Sequence, residues 1–253
     1  DESSMVDLHL MWRLMSGISL NCRVIMVGDI AQLPPVGAGF VLSELIESNS
    51  IPRVHLTEVF RQGEGSGVVE AAHRVHDGVE PKTNGEFHLK DMGEDESLQS
   101  IIDLCKEFQF EDIDFHVISP THHGKLGVTN LNKHLRSVLN PDIGGPSIKI
   151  GKNTLREGDR VMITKNDYNL GVYNGDVGKI SKVDKNYVEV FIRGVKDELI
   201  SVPRDQISKI LRLAYCTTVH KSQGLEYAKI IMPMVDSFPA NLLKRPLLYT
   251  AIT

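Results

Sequence analysis

Apolar residues in the first eighty positions follow two different periods. Runs of consecutive apolar residues at 23–28 and 53–57 predict buried strands. Apolar residues recur at helical spacing in 5–16, 40–48 and 66–77, and a glycine directly follows the first and the last of these segments, where it suits a helix end. Strands that alternate with helices are typical of a parallel sheet, so this part of the chain predicts an α/β fold.

A second stretch of alternating elements begins after residues 79–96, which are polar and irregular and which we interpret as a link between two lobes. Its predicted elements are a helix near 96–108, a strand at 115–120, a helix at 128–138, strands at 210–216 and 229–234, and a helix at 246–253. The alternation is interrupted between residues 147 and 207, where the pattern changes.

Residues 147–207 contain short β-branched runs that are separated by turns rich in glycine, asparagine and aspartate. The runs lie at 159–165, 176–183, 187–192 and 198–202. Runs of this length with turn residues between them predict antiparallel strands, so this segment predicts a small barrel inserted into the α/β pattern.

Composition narrows the possible partners of the chain. The 253 residues are 41% hydrophobic and 24% charged, as in ordinary globular proteins, and their formal net charge is −5. A protein that coats DNA is usually basic, so any contact with nucleic acid has to be a local groove. The three cysteines are far apart and form no paired motif, and no apolar run is long enough to span a bilayer. We therefore expect a cytoplasmic protein that has no membrane partner.

Two polar stretches in the first lobe suggest phosphate chemistry. Asp1-Glu2 opens the chain, and an acidic pair at a strand end is how many nucleotide triphosphatases hold magnesium and direct a water. An acidic pair that stands alone in a sequence most often belongs to the solvated surface. Residues 24–35 change that reading, because they form an apolar run that ends in a polar loop, one helix length after the pair. Ligands bind where neighbouring parallel strands end, so the amide of Gln32 is placed to touch a γ-phosphate or the attacking water.

Four stretches in this order resemble the later motifs of superfamily 1 helicases, in particular the RecD-like 5′→3′ branch (exodeoxyribonuclease V alpha-subunit type). They are residues 1–4 (DESS), 24–35 (VIMVGDIAQLPP), 56–62 (LTEVFRQ) and 218–226 (TVHKSQGLE). The phrases at 158–162 (GDRVM) and 174–178 (NGDVG) are similar to the SH3-like barrel inserted in the second motor lobe of that family.

The resemblance implies an α/β fold of RecA-like P-loop NTPase lobes with parallel sheets and an inserted antiparallel SH3-like β-barrel. We expect residues 1–80 to belong to the first lobe, 81–146 and 208–253 to the second, and 147–207 to the barrel. ATP would bind between the lobes, and single-stranded DNA would cross both.

The resemblance also implies three groups of site residues. The catalytic group is Asp1 as the Mg²⁺ ligand, Glu2 as the group that aims the water, Gln32, and Arg61 as a transition-state cation. The ATP-binding group is Phe60 at adenine, Gly224, and Glu226 at the ribose. The DNA-binding group is Thr121, His122, Gly124, Lys125, Thr218, His220, Lys221 and Ser222.

Residues 124–127 (GKLG) precede a predicted helix, and the free N–H groups of a first turn suit a DNA phosphate. A plain helix cap is the alternative for this segment. The pairs His122-His123 and His73/His76 lack the cysteine or carboxylate partners of a convincing metal site.

No segment matches the phosphate-binding loop G-x-x-x-x-G-K-S/T, and the arginine that the family places after the last motif is absent. We therefore expect a piece of a longer protein, inactive alone. Its parent would be an ATP-dependent DNA helicase that uses Mg²⁺ and ATP to move along single-stranded DNA in recombination or repair, with other subunits of a recombination complex as possible partners. The alternatives are a non-catalytic DNA- or protein-binding module with relic motifs, and the helicase half of a conjugative relaxase.

Overall fold

A computed structural model describes residues 1–56, 66–150, 153–192 and 198–253. Its helices are α1 (Leu8–Gly17), α2 (Val41–Ser48), α3 (Gly67–His76), α4 (Glu94–Phe110), α5 (Val128–Leu139), α6 (Arg204–Ile210), α7 (Val219–Ser222) and α8 (Arg245–Ile252). Its strands are β1 (Phe115–Ser119), β2 (Ser147–Ile150), β3 (Asn153–Arg156), β4 (Arg160–Ile163), β5 (Val177–Val183), β6 (Tyr187–Ile192), β7 (Glu198–Pro203), β8 (Leu211–Leu213), β9 (Cys216–Thr218) and β10 (Lys229–Ile231).

Contacts divide the chain into two compact units. The first unit is Asp1–Asp91 with Pro239–Thr253, and the second is Met92–Phe238. The last helix, α8, is grouped with the first unit because it packs against α3. The sequence-based lobes assign this helix to the second lobe, and those lobe boundaries stay a prediction.

The first unit is built from α1, α2, α3, α8 and a 3₁₀ turn at Ser3–Met5. Asp7 begins α1 by accepting a hydrogen bond from Leu10 N at 2.7 Å, which satisfies one of the free donors of the first turn. The buried residues of α3 include Ala71, Ala72 and Val75, which lie at helical spacing on one face. The predicted helices of this unit are therefore confirmed.

The strand predicted at 23–28 is not formed, and residues 53–56 are not a strand either. Ile25 is 78% exposed and Val54 is 88% exposed, so these runs are not buried. A strand exists only when its backbone pairs with a neighbouring strand, and apolar composition alone does not supply that partner. A backbone hydrogen bond from Ser3 N to Val27 O, at 2.8 Å, ties residues 23–28 to the start of the chain.

A parallel sheet with the strand order β10-β1-β9 organises the second unit. Every residue of the central strand β1 is buried. Burial on both faces suits its apolar residues Phe115, Val117 and Ile118, while the buried polar side chains of His116 and Ser119 are hydrogen-bonded to Thr217 and to Leu126 O, each at 2.8 Å. Asn132 of α5 accepts a hydrogen bond from Tyr215 N at 2.9 Å and donates to Cys216 O at 2.7 Å, and so it fastens the helix to β9.

The inserted segment forms an antiparallel sheet with the order β7-β6-β5-β4-β8, and β2 and β3 form a separate hairpin. Its core consists of branched aliphatic side chains, among them Val161, Ile180, Val190 and Val202. The predicted strands of this segment are confirmed. The sheet also includes β8, so the antiparallel part runs past residue 207 to Leu213.

The strand predicted at 210–216 is two strands in two sheets. Leu211–Leu213 pairs with β4 in the antiparallel sheet, and Cys216–Thr218 pairs with β1 in the parallel sheet. Between them, Ala214 N donates to Arg160 O at 2.9 Å, while Tyr215 N is bound by Asn132. These two bonds redirect the backbone from one sheet to the other.

A buried carboxylate joins the barrel to α5. Asp159 is 0% exposed, and Arg136 of α5 binds it with two hydrogen bonds of 2.9 and 2.7 Å. Asn140, the backbone N–H of Arg156 and the hydroxyl of Tyr215 donate to the same carboxylate at 2.9, 3.0 and 3.0 Å. A buried charge is tolerated when it is paired and hydrogen-bonded in this way.

In the described part of the chain, no helix combines the length and the apolar character needed to cross a membrane.

Candidate functional site

The acidic pair lies beside the loop that follows residues 23–28. Ser3 N donates to Val27 O at 2.8 Å, so the start of the chain runs next to Gly28. A Cβ on Gly28 would lie 2.8 Å from Ser4 N, which leaves room for glycine only. The structure therefore brings two separate motifs together at one place in the first unit.

The backbone at the acidic pair is unusual. Glu2 has φ 56° and ψ 32°, a left-handed conformation that is uncommon for a residue with a side chain. Its N–H is bound by the carboxylate of Asp1 at 2.8 Å, and Ser3 and Ser4 after it are buried. Asp1 is exposed and Glu2 is half-buried, so solvent reaches the Asp1 carboxylate.

Gln32 is carried by a short turn that starts at Asp29. The Asp29 carboxylate accepts a hydrogen bond from Ala31 N at 2.9 Å, and Gln32 N donates to Asp29 O at 3.3 Å. Aspartate side chains stabilise turns in this way. Gln32 is half-buried and the following Leu33 is buried, which anchors the turn at its end.

Helix α8 contacts this turn, a relationship that the sequence analysis did not predict. Leu33 N donates to Thr250 Oγ1 at 2.7 Å, and Thr250 Oγ1 donates to Pro246 O at 2.8 Å. Burial first, and then the nearby carboxylate of Asp29, raise the pKa of Tyr249 in the same helix. The sequence signal that could have indicated this contact is the pair of hydroxyl groups of Tyr249 and Thr250 in a helix that is otherwise apolar after Arg245.

In the second unit, the candidate DNA-binding residues gather at one edge of the parallel sheet. β1 and β9 are parallel neighbours, with Ser119 opposite Thr218 at their carboxyl ends. The loop of residues 120–127 follows β1, and α7 follows β9. Two segments about a hundred residues apart in the sequence thus meet at the edge where parallel sheets bind ligands.

The loop of residues 120–127 is closed by its own backbone. The carbonyl groups of Thr121 and His122 accept hydrogen bonds from Val128 N and Thr129 N at 2.9 and 3.1 Å. The premise of free N–H groups at the start of α5 is therefore wrong for these two donors, and the helix-cap alternative describes them. The prediction that this segment contacts DNA does not depend on those donors alone and stays a prediction.

Lysine side chains surround a shallow pocket beside this loop. The pocket has a volume of ≈ 350 Å³ and is lined by His123, Gly124, Lys125, Thr129, Asn130 and Lys133. Lys125 forms an ion pair with Asp95, whose side chain is 87% exposed. Exposed pairs are weak and exchange readily for other partners, so Lys125 is not committed to Asp95. Sequence reasoning missed Thr129 and Asn130.

The residues of α7 divide between structural and outward-facing roles. Thr218 begins the helix by accepting a hydrogen bond from Lys221 N at 3.3 Å, and Ser222 Oγ donates to Val219 O at 2.9 Å. Lys221 is exposed and His220 is half-buried, and this burial lowers the pKa of His220. The outward donors of the motif are therefore His220 and Lys221.

The remaining predicted site residues are Phe60, Arg61, Gly224 and Glu226. Phe60 and Arg61 lie outside the described residues. Gly224 has φ 76° and turns the chain out of α7, and Glu226 is exposed. In the described ranges, no group of three or more histidine, cysteine or acidic side chains is arranged to hold a metal ion.

Three family models match the chain. They are "ATP-dependent RecD-like DNA helicase SH3 domain" at residues 131–193, "UvrD-like helicase C-terminal domain" at 213–253 and "AAA domain" at 1–93. The chain is also 33% identical over 254 residues to the ATP-dependent RecD2 DNA helicase of Deinococcus radiodurans. This alignment covers 100% of the chain. The chain is therefore similar to RecD-like helicases along its whole length.

This RecD-like chain spans only part of the length of the curated relatives it matches. It covers 34% of the Deinococcus protein. It is 28% identical over 278 residues to the RecBCD enzyme subunit RecD of Mycobacterium tuberculosis and covers 47% of that protein.

Solved structures share the fold of this RecD-like chain. Pif1 helicase from Candida albicans has a TM-score of 0.60 and 21% identity, with coverage of 100% of this chain and 67% of that one. Bacteroides Pif1 bound to ssDNA has a TM-score of 0.56 and 22% identity, with coverage of 99% and 66%. The α/β architecture predicted from the sequence is thereby confirmed.

Proposed function

We propose that this chain is part of an ATP-dependent 5′→3′ DNA helicase that couples ATP hydrolysis to movement along single-stranded DNA in recombination or repair. The observation that carries the proposal is that Ser3 and Ser4, directly after Asp1-Glu2, lie against Val27 and Gly28, just before the turn that carries Gln32. Its relatives include an ATP-dependent DNA helicase and RecBCD subunits, which supports both the reaction and a place among other subunits of a recombination complex. Its three free cysteines are compatible with a reducing cytoplasm.

Magnesium and ATP suit the residues at the acidic pair. Mg²⁺ usually takes one or two protein carboxylates and completes its shell with water and substrate phosphates, and the exposed Asp1 carboxylate meets that need. The ion would supply neutralisation of the phosphate charge. Glu2 would hold the attacking water and accept its proton, while the Gln32 amide would orient that water. We propose that Arg61 stabilises the transferred phosphate and that Phe60, Gly224 and Glu226 contact the nucleotide.

DNA would bind at the edge formed by the ends of β1 and β9. Lys125, His220 and Lys221 supply donors there, with Thr121, His122 and Gly124 in the supporting loop and Thr218 and Ser222 in α7. A net charge of −5 for the whole chain limits the attraction to this local edge. Affinity should therefore fall with salt, with a slope of roughly −0.7 for each phosphate neutralised.

Glu2→Gln in the full-length protein tests the catalytic assignment. The amide keeps the size of the side chain but does not accept the proton, so we expect DNA-stimulated ATP turnover to fall by about 10²–10⁴-fold while ATP affinity stays within about threefold. Glu47→Gln, at an exposed position of α2, is the control and should behave as wild type. Turnover of Glu2→Gln within about threefold of wild type would remove Glu2 from this role. A wild-type protein without DNA-stimulated turnover would favour a non-catalytic binding module.

A further inference from the structure

The turn that carries Gln32 is held by α8 on both of its flanks. On one side, the Asp29 carboxylate lies near the hydroxyl of Tyr249 and raises its pKa, after burial. On the other side, Leu33 N donates to Thr250 Oγ1 at 2.7 Å. Gln32 lies between these two attachment points, so its backbone follows the position of the helix.

The turn is also stiff within itself. The Asp29 carboxylate binds Ala31 N at 2.9 Å, Gln32 N binds Asp29 O at 3.3 Å, and Leu33 is only 7% exposed. A turn with these internal bonds moves as a unit and does not absorb a displacement by bending. The backbone of Gln32 is therefore held between Asp29 and Leu33, the two residues next to α8.

Helix α8 is itself fixed in the first unit. Thr250 Oγ1 donates to Pro246 O at 2.8 Å, so one hydroxyl links the turn to the backbone of the helix. The ring of Tyr249 lies 5.9 Å from that of His76 at the end of α3, the helix against which α8 packs. The side chains that hold the turn are thus anchored at their other side.

We propose that Tyr249 and Thr250 are positioning residues for Gln32, which hold its amide in the orientation that meets the attacking water or the γ-phosphate. This inference rests on the proposed ATP hydrolysis. It makes Gln32 the part that touches the reacting groups and α8 the part that sets its position. A change in α8 therefore alters the rate of the chemical step more than it alters ATP binding.

Thr250→Val is the sharpest perturbation, because valine keeps the shape of threonine and removes only the hydroxyl. It leaves Leu33 N without its partner and detaches the turn from α8. A misplacement of about 1 Å can cost roughly 100-fold in rate, so we expect kcat to fall between about 10- and 100-fold, with KM for ATP within about threefold. Thr250→Ser keeps the hydroxyl and should restore kcat to within about threefold of wild type.

A double-mutant cycle with Gln32→Ala separates positioning from plain stability. In the full-length protein, Thr250→Val should lower kcat in the presence of Gln32 but have almost no further effect in the Gln32→Ala background, because the group it positions is gone. Tyr249→Phe should show the same dependence. Ser16→Ala is the matched control, since the Ser16 hydroxyl makes the same kind of bond to a carbonyl four residues earlier in its own helix.

The outcomes of this cycle are distinct. Wild-type protein without DNA-stimulated ATP hydrolysis would contradict the proposed function and not reach the positioning question. With an active wild type, equal fold-losses in both backgrounds, or normal kcat in Thr250→Val and Tyr249→Phe, would overturn the positioning role. If Thr250→Val also lowers the unfolding temperature, the kcat of Tyr249→Phe decides between positioning and a loss of stability, because that variant keeps the hydrogen bond of Leu33 N.

Discussion

Replacing Arg136 with methionine should destabilise the second unit, because it removes the cation that pairs with a fully buried carboxylate. Asp159 is 0% exposed, and the Arg136 side chain is 16% exposed. Two hydrogen bonds of 2.9 and 2.7 Å join them. Methionine retains most of the aliphatic stem of arginine, so the change removes the charge and the donors with little loss of packing.

The expected loss follows from what remains around the carboxylate. Breaking a buried ion pair by removal of one partner costs about 3–5 kcal/mol. Asn140, Arg156 N and Tyr215 still donate to Asp159 at 2.9–3.0 Å after the substitution. Because these neutral donors continue to solvate the charge, we expect the lower end, about 3 kcal/mol. Adding Asp159→Asn to Arg136→Met should recover part of the loss, since the unpaired charge is then gone.

Urea unfolding followed by circular dichroism measures this loss as a lower midpoint at an unchanged slope. Lys209→Met is the control, because the Lys209–Asp205 pair spans 3.6 Å with side chains 63% and 75% exposed. Exposed pairs contribute about 0–1 kcal/mol, so this variant should unfold close to wild type. An Arg136→Met protein that is as stable as Lys209→Met would refute the view that this pair stabilises the junction of barrel and helix.

Two further predictions concern the second unit. Burial, and then the charge of Arg160, lower the pKa of His116 from 6.5 to about 3. The folded state therefore resists protonation of this ring. Its free energy of unfolding should fall as the pH drops from 6.5 towards 3, by up to about 1.4 kcal/mol per pH unit. In His116→Gln, the urea midpoint should change less between pH 7 and 5 than it does in the wild type. An unchanged pH dependence of the midpoint would assign the effect to other groups. Gly127→Ala should weaken single-stranded DNA binding by about tenfold or more, because its Cβ would lie 2.3 Å from His123 O and force the 120–127 loop open. Fluorescence anisotropy at two salt concentrations tests this, with Gly85→Ala, where a Cβ meets nothing within 4 Å, as the control that should bind normally.

The amino-acid sequence by itself determined the elements whose signal is local. α2, α3, α4 and α5 lie within about two residues of their predicted bounds, because the spacing of apolar residues already defines the face that each helix buries. Strands β4 to β7 were equally readable, since short β-branched runs between glycine- and asparagine-rich turns favour antiparallel pairing, whereas β2, β3 and β8 were not predicted as part of the barrel. The acidic pair, the Gln32 loop and the 218–226 motif were also recognised as strings.

Only the tertiary structure decided which backbone groups find partners across long separations. Residues 23–28 have the composition of a strand but form no strand pair within the described part of the chain. Residues 210–216 divide between two sheets, because Asn132 binds the backbone of Tyr215. The bond between Leu33 and Thr250 joins positions 217 residues apart. Local periodicity shows which face of a segment is apolar. Hydrogen-bond partners depend instead on where the other segments of the chain lie in the fold. These contacts therefore cannot be read from the pattern of any single stretch.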